Sequence, residues 1–212
     1  MQPAPDKLFS SAEFVASAGT PQEFPVEGIP EVAFVGRSNV GKSTAINALV
    51  GRRRLAFVAK APGRTQTVNF YDLSGAGRLV DLPGYGYARV PKTVRAGWDG
   101  LVGGYLSGRE SLAGIAVLLD SRHPQTPQDQ SLLAWLRPFG IRQLILLTKS
   151  DKLSRAEANV TLKETQSRLG PYVDEVVLFS SINGAGIEQV REHLANWLHA
   201  GDAAAGNKRP PA

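Results

Sequence analysis

The chain has 212 residues, of which 42% are hydrophobic and 20% are charged, a composition typical of one globular domain with tails. The sequence contains no cysteine, which excludes a disulfide framework and a thiolate metal site, and no apolar run approaches the ~20 residues of a membrane span. The net charge of +5 and the isoelectric point near 9.6 are compatible with an anionic partner such as RNA, but a mildly basic solvated surface explains them equally well.

Residues 1–22 are predicted to form an N-terminal extension that contains one short amphipathic stretch, residues 10–18. The first seven residues lack a cationic region followed by an apolar core, so a secretory signal is not expected and a cytoplasmic location follows. The main domain is expected over residues 23–199. Residues 200–212 show no apolar periodicity and are expected to be a disordered basic tail.

Residues 36–43 match the phosphate-binding P-loop pattern G-x-x-x-x-G-K-[ST]. They lie between a predicted buried strand and a predicted helix over residues 44–50, which is the context the motif requires. Glycines at its two ends allow a tight turn close to the phosphates, which the exposed N–H groups then face. Lys42 is expected to reach the β- and γ-phosphates, and the Ser43 hydroxyl to bind Mg²⁺. The predicted phosphate-binding residues are Gly36, Arg37, Ser38, Asn39, Val40, Gly41, Lys42 and Ser43.

Strand-like and helix-like segments alternate along the rest of the domain. The six predicted strands are residues 31–35, 68–73, 78–82, 114–119, 143–148 and 175–180. The second and third are separated by a short glycine-containing turn and are expected to form a hairpin. The alternation predicts an α/β fold whose mostly parallel six-stranded sheet has one antiparallel edge strand and helices on both faces. Ligands bind such sheets at the carboxyl ends of the strands.

The loop after the P-loop helix contains hydroxyl groups that can reach Mg²⁺ when a γ-phosphate is present. Thr65 is the preferred candidate, and Thr67 is the alternative because sequence alone does not decide which hydroxyl contacts the metal. Read in isolation, the segment could also be a simple turn at Pro62. Gly63, Arg64 and Gln66 complete the contacts predicted for this loop.

Asp81 ends a predicted strand and begins the segment Asp81-Leu82-Pro83-Gly84. Its carboxylate is expected to hold Mg²⁺ through a water molecule, and the Gly84 N–H to meet the γ-phosphate. Pro-Gly turns after strands are common, so the motif alone is weak evidence for a metal and phosphate site. Its position one strand beyond the switch loop supports that interpretation.

The segment Thr148-Lys149-Ser150-Asp151 ends another apolar strand. The Asp151 carboxylate can accept two hydrogen bonds from guanine, which adenine cannot offer, and such a site discriminates strongly because its polar groups go unpaired with the wrong base. The stem of Lys149 would pack over the base. A backbone N–H of the segment Phe179-Ser180-Ser181 would meet the guanine O6.

These segments, in this order and at strand ends, resemble the translation-factor-related GTPases. The sequences of four motifs are similar to those of the EngB (YihA/YsxC) family of bacterial GTP-binding proteins, and the resemblance covers about residues 23–199. The four motifs are Gly-Arg-Ser-Asn-Val-Gly-Lys-Ser, Pro-Gly-Arg-Thr-Gln, Asp-Leu-Pro-Gly-Tyr-Gly-Tyr-Ala and Thr-Lys-Ser-Asp. The resemblance implies a P-loop GTPase fold, Mg²⁺ as cofactor, GTP and GDP as ligands, and a switch role in assembly of the large ribosomal subunit on which cell division and septation depend. The pattern Asp120-Ser-Arg-His-Pro124 is also similar to the family, but no chemical role is predicted for it.

Tyr85 stands where Ras has the glutamine that orients the attacking water, so slow intrinsic GTP hydrolysis is expected. Related GTPases with asparagine at the position of Asn39 use it to bind K⁺, which implies K⁺ stimulation here. The predicted catalytic residues are Lys42, Thr65, Gly84 and Asn39. Arg64 and Arg89 are candidate arginine fingers, although contact with a partner or solvent is the favoured interpretation.

Three basic clusters could meet rRNA phosphates: residues 52–54, the set Arg89, Lys92 and Arg95, and residues 208–209. The alternative is a division or signalling switch with protein partners and no direct RNA contact. A P-loop kinase or ATPase is disfavoured by Asp151. No membrane association is expected, and a monomer is expected although the sequence does not determine the oligomeric state.

Overall fold

The computed structural model describes residues 4–56, 67–85 and 92–201. The strands are β1 (Glu13–Ala18), β2 (Glu31–Gly36), β3 (Val68–Asp72), β4 (Arg78–Asp81), β5 (Leu112–Asp120), β6 (Gln143–Thr148) and β7 (Glu175–Leu178). The α-helices are α1 (Pro5–Ser10), α2 (Lys42–Leu49), α3 (Lys92–Gly108), α4 (Pro127–Leu136), α5 (Arg155–Leu169) and α6 (Ile187–Gly201).

The seven strands form one sheet in the order β1-β3-β4-β2-β5-β6-β7. Strands β4, β2, β5, β6 and β7 pair in parallel, while β3 pairs antiparallel with both β4 and β1. The α/β fold with a mostly parallel sheet is therefore confirmed. The sheet has one strand more than predicted, and its antiparallel strand β3 lies second from the edge because β1 pairs on its outer side.

Strand β1 was missed because its sequence does not show the alternation of a half-buried strand. Among its residues only Ala18 is buried, and Phe14 and Val15 are exposed. The predicted amphipathic stretch over residues 10–18 is instead the end of α1 followed by β1. The buried residues Leu8 and Phe9 of α1 share a hydrophobic cluster with residues of α6. Residues 5–18 are thus part of the same sheet and core as the main domain, and the boundary placed after residue 22 does not separate them from it.

Strand β2 shows why helices cover both faces of the sheet. Successive side chains of a strand point to opposite faces, and all residues of β2 are buried. Phe34 belongs to the hydrophobic cluster that includes Leu194 of α6, whereas Val35 belongs to the cluster that includes Val102 of α3. The helices on both faces are as predicted, and they leave the two ends of the strands for loops.

Within the described residues, the structure contains no helix with the length and apolar character needed to cross a membrane.

Candidate nucleotide-binding site

The predicted site residues that the structure describes come together at one edge of the sheet. This edge, called the carboxyl edge below, is formed by the last residues of the parallel strands and the loops that follow them. Its strand-terminal residues are Gly36, Asp81, Asp120, Thr148 and Leu178. Because the carboxyl ends of parallel strands lie at the same edge of the sheet, the sheet itself brings together segments that are far apart in the sequence.

The P-loop connects β2 to α2, as the motif predicts. Gly41 precedes α2 with a φ of 104°, a conformation that glycine adopts readily. Gly36 is needed for a different reason: a Cβ atom there would lie 2.7 Å from Cγ1 of Val40 and 3.1 Å from Cβ of Leu118. The loop is therefore closely packed against β5 as well as sharply turned. Asn39 also has a positive φ, 65°, and its side chain is exposed.

Lys42 and Asp81 form an ion pair at the centre of the site. Lys42 begins α2 and Asp81 ends β4, which lies directly beside β2. Burial lowers the pKa of the Lys42 ammonium to about 7, because removal from water disfavours the charged form. The two residues predicted to hold phosphate and metal thus lie in direct contact.

The segment after Asp81 continues beside the P-loop. The Tyr85 N–H donates to the carbonyl of Gly36 at 3.3 Å, and the Ser38 N–H donates to the carbonyl of Tyr85 at 3.0 Å. Gly84 lies against the same loop, since a Cβ atom there would be 3.5 Å from the backbone of Ser38. This parallel bridge brings the predicted γ-phosphate contact next to the phosphate-binding loop.

The side chain of Tyr85 is bound to α4. Its hydroxyl donates to Oδ1 of the buried Asp129 at 2.5 Å, while Oδ2 of Asp129 accepts hydrogen bonds from the backbone N–H and the hydroxyl of Thr126. Burial, followed by this hydrogen bond, raises the pKa of Tyr85 far above its usual value. A neutral hydroxyl held in this way does not act as a base at physiological pH.

Thr148 links the P-loop to the sheet. Its buried hydroxyl lies 2.8 Å from the carbonyl oxygen of Val40 and 3.1 Å from that of Leu119. A threonine hydroxyl at the end of β6 therefore supports the phosphate-binding loop across β5, which lies between β6 and β2.

Asp151 is held by a serine that follows β7. The Ser180 hydroxyl donates to Oδ1 of Asp151 at 2.6 Å, and this hydrogen bond is the main cause that lowers the pKa of the Asp151 carboxyl. Ser180 is fully buried and its Oγ also accepts the backbone N–H of Ile182 at 3.1 Å. The prediction assigned a backbone contact to this segment and missed the Ser180 side chain, for which the sequence offers no signal beyond a serine after a strand.

Lys149 joins two parts of the site. Its ammonium donates to the carbonyl of Asn39 at 2.9 Å and to Oδ2 of Asp120 at 2.9 Å. The contact with Asp120 was not predicted, although the sequence pattern around Asp120 was noted.

The switch-loop predictions Gly63, Arg64, Thr65 and Gln66 lie outside the described residues, as does Arg89. Thr67 is half-buried, and its hydroxyl lies 3.4 Å from Oδ1 of Asn69. The choice between Thr65 and Thr67 therefore stays a prediction.

The chain segment that leads into the switch loop is held by an asparagine of α2. The buried Asn47 accepts hydrogen bonds from the N–H groups of Leu55 and Ala56 through its Oδ1, and its Nδ2 donates to the carbonyl of Ala56. These three contacts hold the chain at Leu55 and Ala56, the last described residues before the predicted switch loop. Sequence reasoning did not single out Asn47.

Comparison with known proteins identifies the class to which this fold and site belong. Residues 31–149, more than half of the chain, match the family described as "50S ribosome-binding GTPase". The matched segment begins at β2 and ends at Lys149, so it contains the P-loop, Asp81 and most of the sheet. The chain is a GTPase of the P-loop class.

Curated relatives identify the family within this class to which the chain belongs. The chain is 46% identical over 208 residues to the "Probable GTP-binding protein EngB" of Dechloromonas aromatica, covering 96% of this chain and 94% of that protein. It is 50% identical over 194 residues to the protein of the same name from Azoarcus sp., covering 90% and 93% of the two chains. This chain belongs to the EngB family of GTP-binding proteins, which confirms the resemblance drawn from the motifs.

Solved structures show the same fold at lower sequence identity. A crystal structure of an engB GTP-binding protein has a TM-score of 0.64 at 21% identity and covers 80% of this chain and 99% of that one. Era from Aquifex aeolicus bound to GDP and AlF₄⁻ has a TM-score of 0.63 at 19% identity, covering 81% of this chain and 57% of Era.

Proposed function

We propose that this protein is a Mg²⁺-dependent GTP switch that acts in the cytoplasm on assembly of the large ribosomal subunit, and that cell division and septation depend on that assembly. The description of the matching family, 50S ribosome-binding GTPase, supports the ribosomal part. The net charge of +5 and the exposed Arg52, Arg53 and Arg54 are suited to contact with rRNA phosphates. The observation that carries the nucleotide part is the convergence of the P-loop, Asp81 and Asp151 at the carboxyl edge.

The phosphates bind to the P-loop and the start of α2. Backbone N–H groups of the loop and the N-terminal end of α2 present partial positive charge to them. Lys42 supplies a full charge to the β- and γ-phosphates, and the Gly84 N–H supplies a further donor to the γ-phosphate. Leu82 and Pro83, between Asp81 and Gly84, extend β4 toward the P-loop through the hydrogen bond from the Leu82 N–H to the carbonyl of Phe34 at 3.0 Å.

The donor set at the site fits Mg²⁺. The ion prefers oxygen ligands, and it is usually bound by one or two protein groups together with substrate phosphates and water. Ser43 supplies a hydroxyl from the first turn of α2, and the buried Asp81 supplies a carboxylate, through a water, from the end of β4. The described residues contain no group of three or more acidic, histidine or cysteine side chains that could hold a metal alone. When bound, Mg²⁺ neutralises charge on the phosphate oxygens, and Thr65 would complete its protein ligands.

Guanine is read by Asp151, with Lys149 and Ser150 beside it. The carboxylate accepts hydrogen bonds from the N1–H and the amino group of the base, and the Ser180 hydroxyl keeps it in place. The Lys149 stem covers one face of the base. A backbone N–H of the segment from Phe179 to Ser181 donates to the guanine O6, which adenine lacks.

Hydrolysis depends on charge stabilisation rather than on a protein base. Lys42 and the Gly84 N–H stabilise the charge that develops on the γ-phosphate oxygens. The Tyr85 hydroxyl, bound to Asp129, orients no water in the manner of the Ras glutamine, so intrinsic turnover is slow.

We extend the proposal to a monovalent cation. The exposed side chain of Asn39 in the P-loop is the ligand through which K⁺ would add positive charge beside the phosphates. GTPase rates measured in KCl and in NaCl at equal ionic strength, with and without ribosomal subunits, test it. We expect faster hydrolysis in KCl and loss of the difference in Asn39→Ala; equal rates in both salts under both conditions would contradict it.

The switch follows from the same contacts. Bound γ-phosphate and Mg²⁺ hold the segments around Thr65 and Gly84, and hydrolysis releases them. Asn47 anchors the segment before the first of these, and the Tyr85 bridge anchors the start of the second. The domain that switches spans residues 23–199 together with α1 and β1, and it is proposed to work as a monomer.

Co-sedimentation with purified ribosomal subunits tests the proposed function. The protein should pellet with the large subunit in the presence of a non-hydrolysable GTP analogue, and less with GDP. Binding should weaken steeply between low and moderate salt because phosphate contacts release counterions. The small subunit is the matched control. Absence of association in every nucleotide state would contradict the ribosomal role and favour a division or signalling switch with protein partners.

A further inference from the structure

Asp120 is a buried carboxylate at the carboxyl edge to which the predicted nucleotide contacts assign no role. It ends β5 and lies opposite Thr148 of β6 in the strand register. Its side chain is 5% exposed. Arg122 donates to it through the backbone N–H at 3.1 Å, Nε at 2.9 Å and Nη2 at 2.7 Å. Lys149 donates to it at 2.9 Å.

The position of Lys149 depends on these contacts. Its backbone has a φ of 60°, and its ammonium lies between the Asp120 carboxylate and the carbonyl oxygen of Asn39. A free lysine side chain loses rotamer entropy when it is fixed, so the contacts that hold Lys149 must offset that loss. Here two acceptors, one on β5 and one in the P-loop, hold both the end and the direction of the alkyl stem.

Asp120 is suited to this task because it stays ionised. Burial by itself would raise the pKa of Asp120, but the hydrogen bonds from Arg122 and Lys149 outweigh burial and hold the pKa well below its usual range. Arg122, whose side chain is 44% exposed, occupies the outer side of the carboxylate and fixes its plane through a bidentate contact.

We propose that Asp120 is a positioning residue for guanine nucleotide binding: it holds the ammonium of Lys149 against the P-loop, so that the lysine stem is already placed to cover the base, and Arg122 orients Asp120. This inference rests on the proposed function, in which Lys149 packs on guanine. Asp120 itself touches no part of the nucleotide, and its effect on affinity passes through Lys149.

A double-mutant cycle on the full chain tests the inference, with GDP affinity measured by titration of a fluorescent GDP analogue. Asp120→Asn should weaken binding about tenfold, because a charge-assisted hydrogen bond that orders Lys149 is lost. Lys149→Met, which keeps an unbranched apolar stem, should weaken binding by a similar factor. In the Lys149→Met background, Asp120→Asn should change affinity by no more than about twofold.

Asp174→Asn is the matched control, since Asp174 pairs with Arg142 at 2.9 Å before β7, away from the carboxyl edge. It should leave GDP affinity unchanged. If Asp120→Asn does not fold, Arg122→Ala replaces it in the cycle, and the same loss of effect in the Lys149→Met background is expected.

The outcomes distinguish failure of the Asp120 inference from failure of the proposed guanine nucleotide binding. Equal effects of Asp120→Asn with and without Lys149, or no effect of Asp120→Asn on affinity, would overturn the inference and leave the proposed function standing. Normal affinity of Lys149→Met would show that the ammonium contributes nothing to binding, which would overturn the inference and leave the packing of an apolar stem on guanine in place.

Discussion

Buried charges occur at both ends of the sheet, and the two ends use them differently. At the end opposite the carboxyl edge, Glu31 is fully buried and accepts hydrogen bonds from Arg109 at 2.6 and 2.9 Å, from Tyr105 at 3.0 Å and from Arg78 at 3.3 Å. We call these four residues the Glu31 network. At the carboxyl edge, Lys42 pairs with Asp81 and Lys149 with Asp120.

The two ends of the sheet differ in the elements that supply the charged groups and in the backbone conformations that hold them. The Glu31 network is built from β2, β4, α3 and the residue that follows α3, and its arginines also donate to the carbonyls of Pro25 and Val26. At the carboxyl edge, Asn39 and Lys149 have left-handed backbone conformations, which cost about 1–3 kcal/mol each and persist where the surroundings hold them. The first arrangement stabilises the fold, whereas the second keeps cations and carboxylates together for a ligand.

The largest expected effect is on the Glu31 network. Glu31→Ala removes the carboxylate that accepts hydrogen bonds from two buried guanidinium groups and leaves them only the carboxylates of Asp72 and Glu27 at 3.8 Å, so the free energy of unfolding should fall by about 3–5 kcal/mol. Urea denaturation measures it. The control is Glu188→Ala, which removes an exposed carboxylate from Arg191 and should cost less than about 1 kcal/mol. If Glu31→Ala instead weakened GDP binding without changing stability, the contrast between the two ends would be wrong.

In contrast to Glu31→Ala, Lys42→Ala should weaken nucleotide binding more than it lowers the free energy of unfolding. Loss of its hydrogen bonds to two phosphates should weaken GDP and GTP affinity at least about 100-fold. Calorimetric titration measures the affinity, and circular dichroism verifies the fold. Lys163→Ala, on the exposed side of α5, should bind as the unmodified chain does. Near-normal affinity of Lys42→Ala would refute its assignment.

Asp151→Asn should reduce the preference for guanine over adenine nucleotides by about 10–100-fold, because an amide cannot accept both guanine donors. Ser180→Ala sharpens this prediction, since it leaves the carboxylate and removes its hydrogen bond at 2.6 Å, together with the acceptor for the Ile182 N–H. Its loss of GDP affinity should be smaller, about three- to tenfold. Competition of GDP and ADP for one labelled nucleotide measures both. An unchanged preference in Asp151→Asn would contradict the assigned role of Asp151.

Among the substitutions at the carboxyl edge, the smallest effect on GDP affinity is expected at the contact between Tyr85 and α4. Tyr85→Phe removes one hydrogen bond to the buried Asp129, which Thr126 still satisfies in part, so unfolding should become easier by about 1–2 kcal/mol. GDP affinity should stay within about twofold of the unmodified chain. A large loss of GDP affinity would show that this contact belongs to the ligand site rather than to its support.

The sequence was sufficient to predict the strands of the carboxyl edge and the motifs that follow them. Gly36 to Ser43 and Asp151 are recognisable because each motif follows an apolar strand and keeps its spacing. Parallel strands then bring these segments together whatever loops separate them. Strand β6 agrees with its prediction, residues 143–148, to the residue.

The remaining features depend on contacts between distant residues. Glu31 begins a predicted strand, and nothing in its neighbourhood indicates that Arg109 lies 2.6 Å away. Asp120 and Ser180 act through Lys149 and Asp151, so their roles appear only when side chains are placed. Strand β1 was missed because an exposed edge strand lacks the apolar alternation on which a sequence prediction relies.

Nucleotide competition on the purified chain determines whether the carboxyl edge is a guanine nucleotide site. A fluorescent GDP analogue is bound in the presence of Mg²⁺ and challenged with equal concentrations of GTP, GDP or ATP. We predict that GTP and GDP displace it and that ATP does not. Displacement by ATP as effective as by GTP would contradict the assignment of Asp151 and of the site around it.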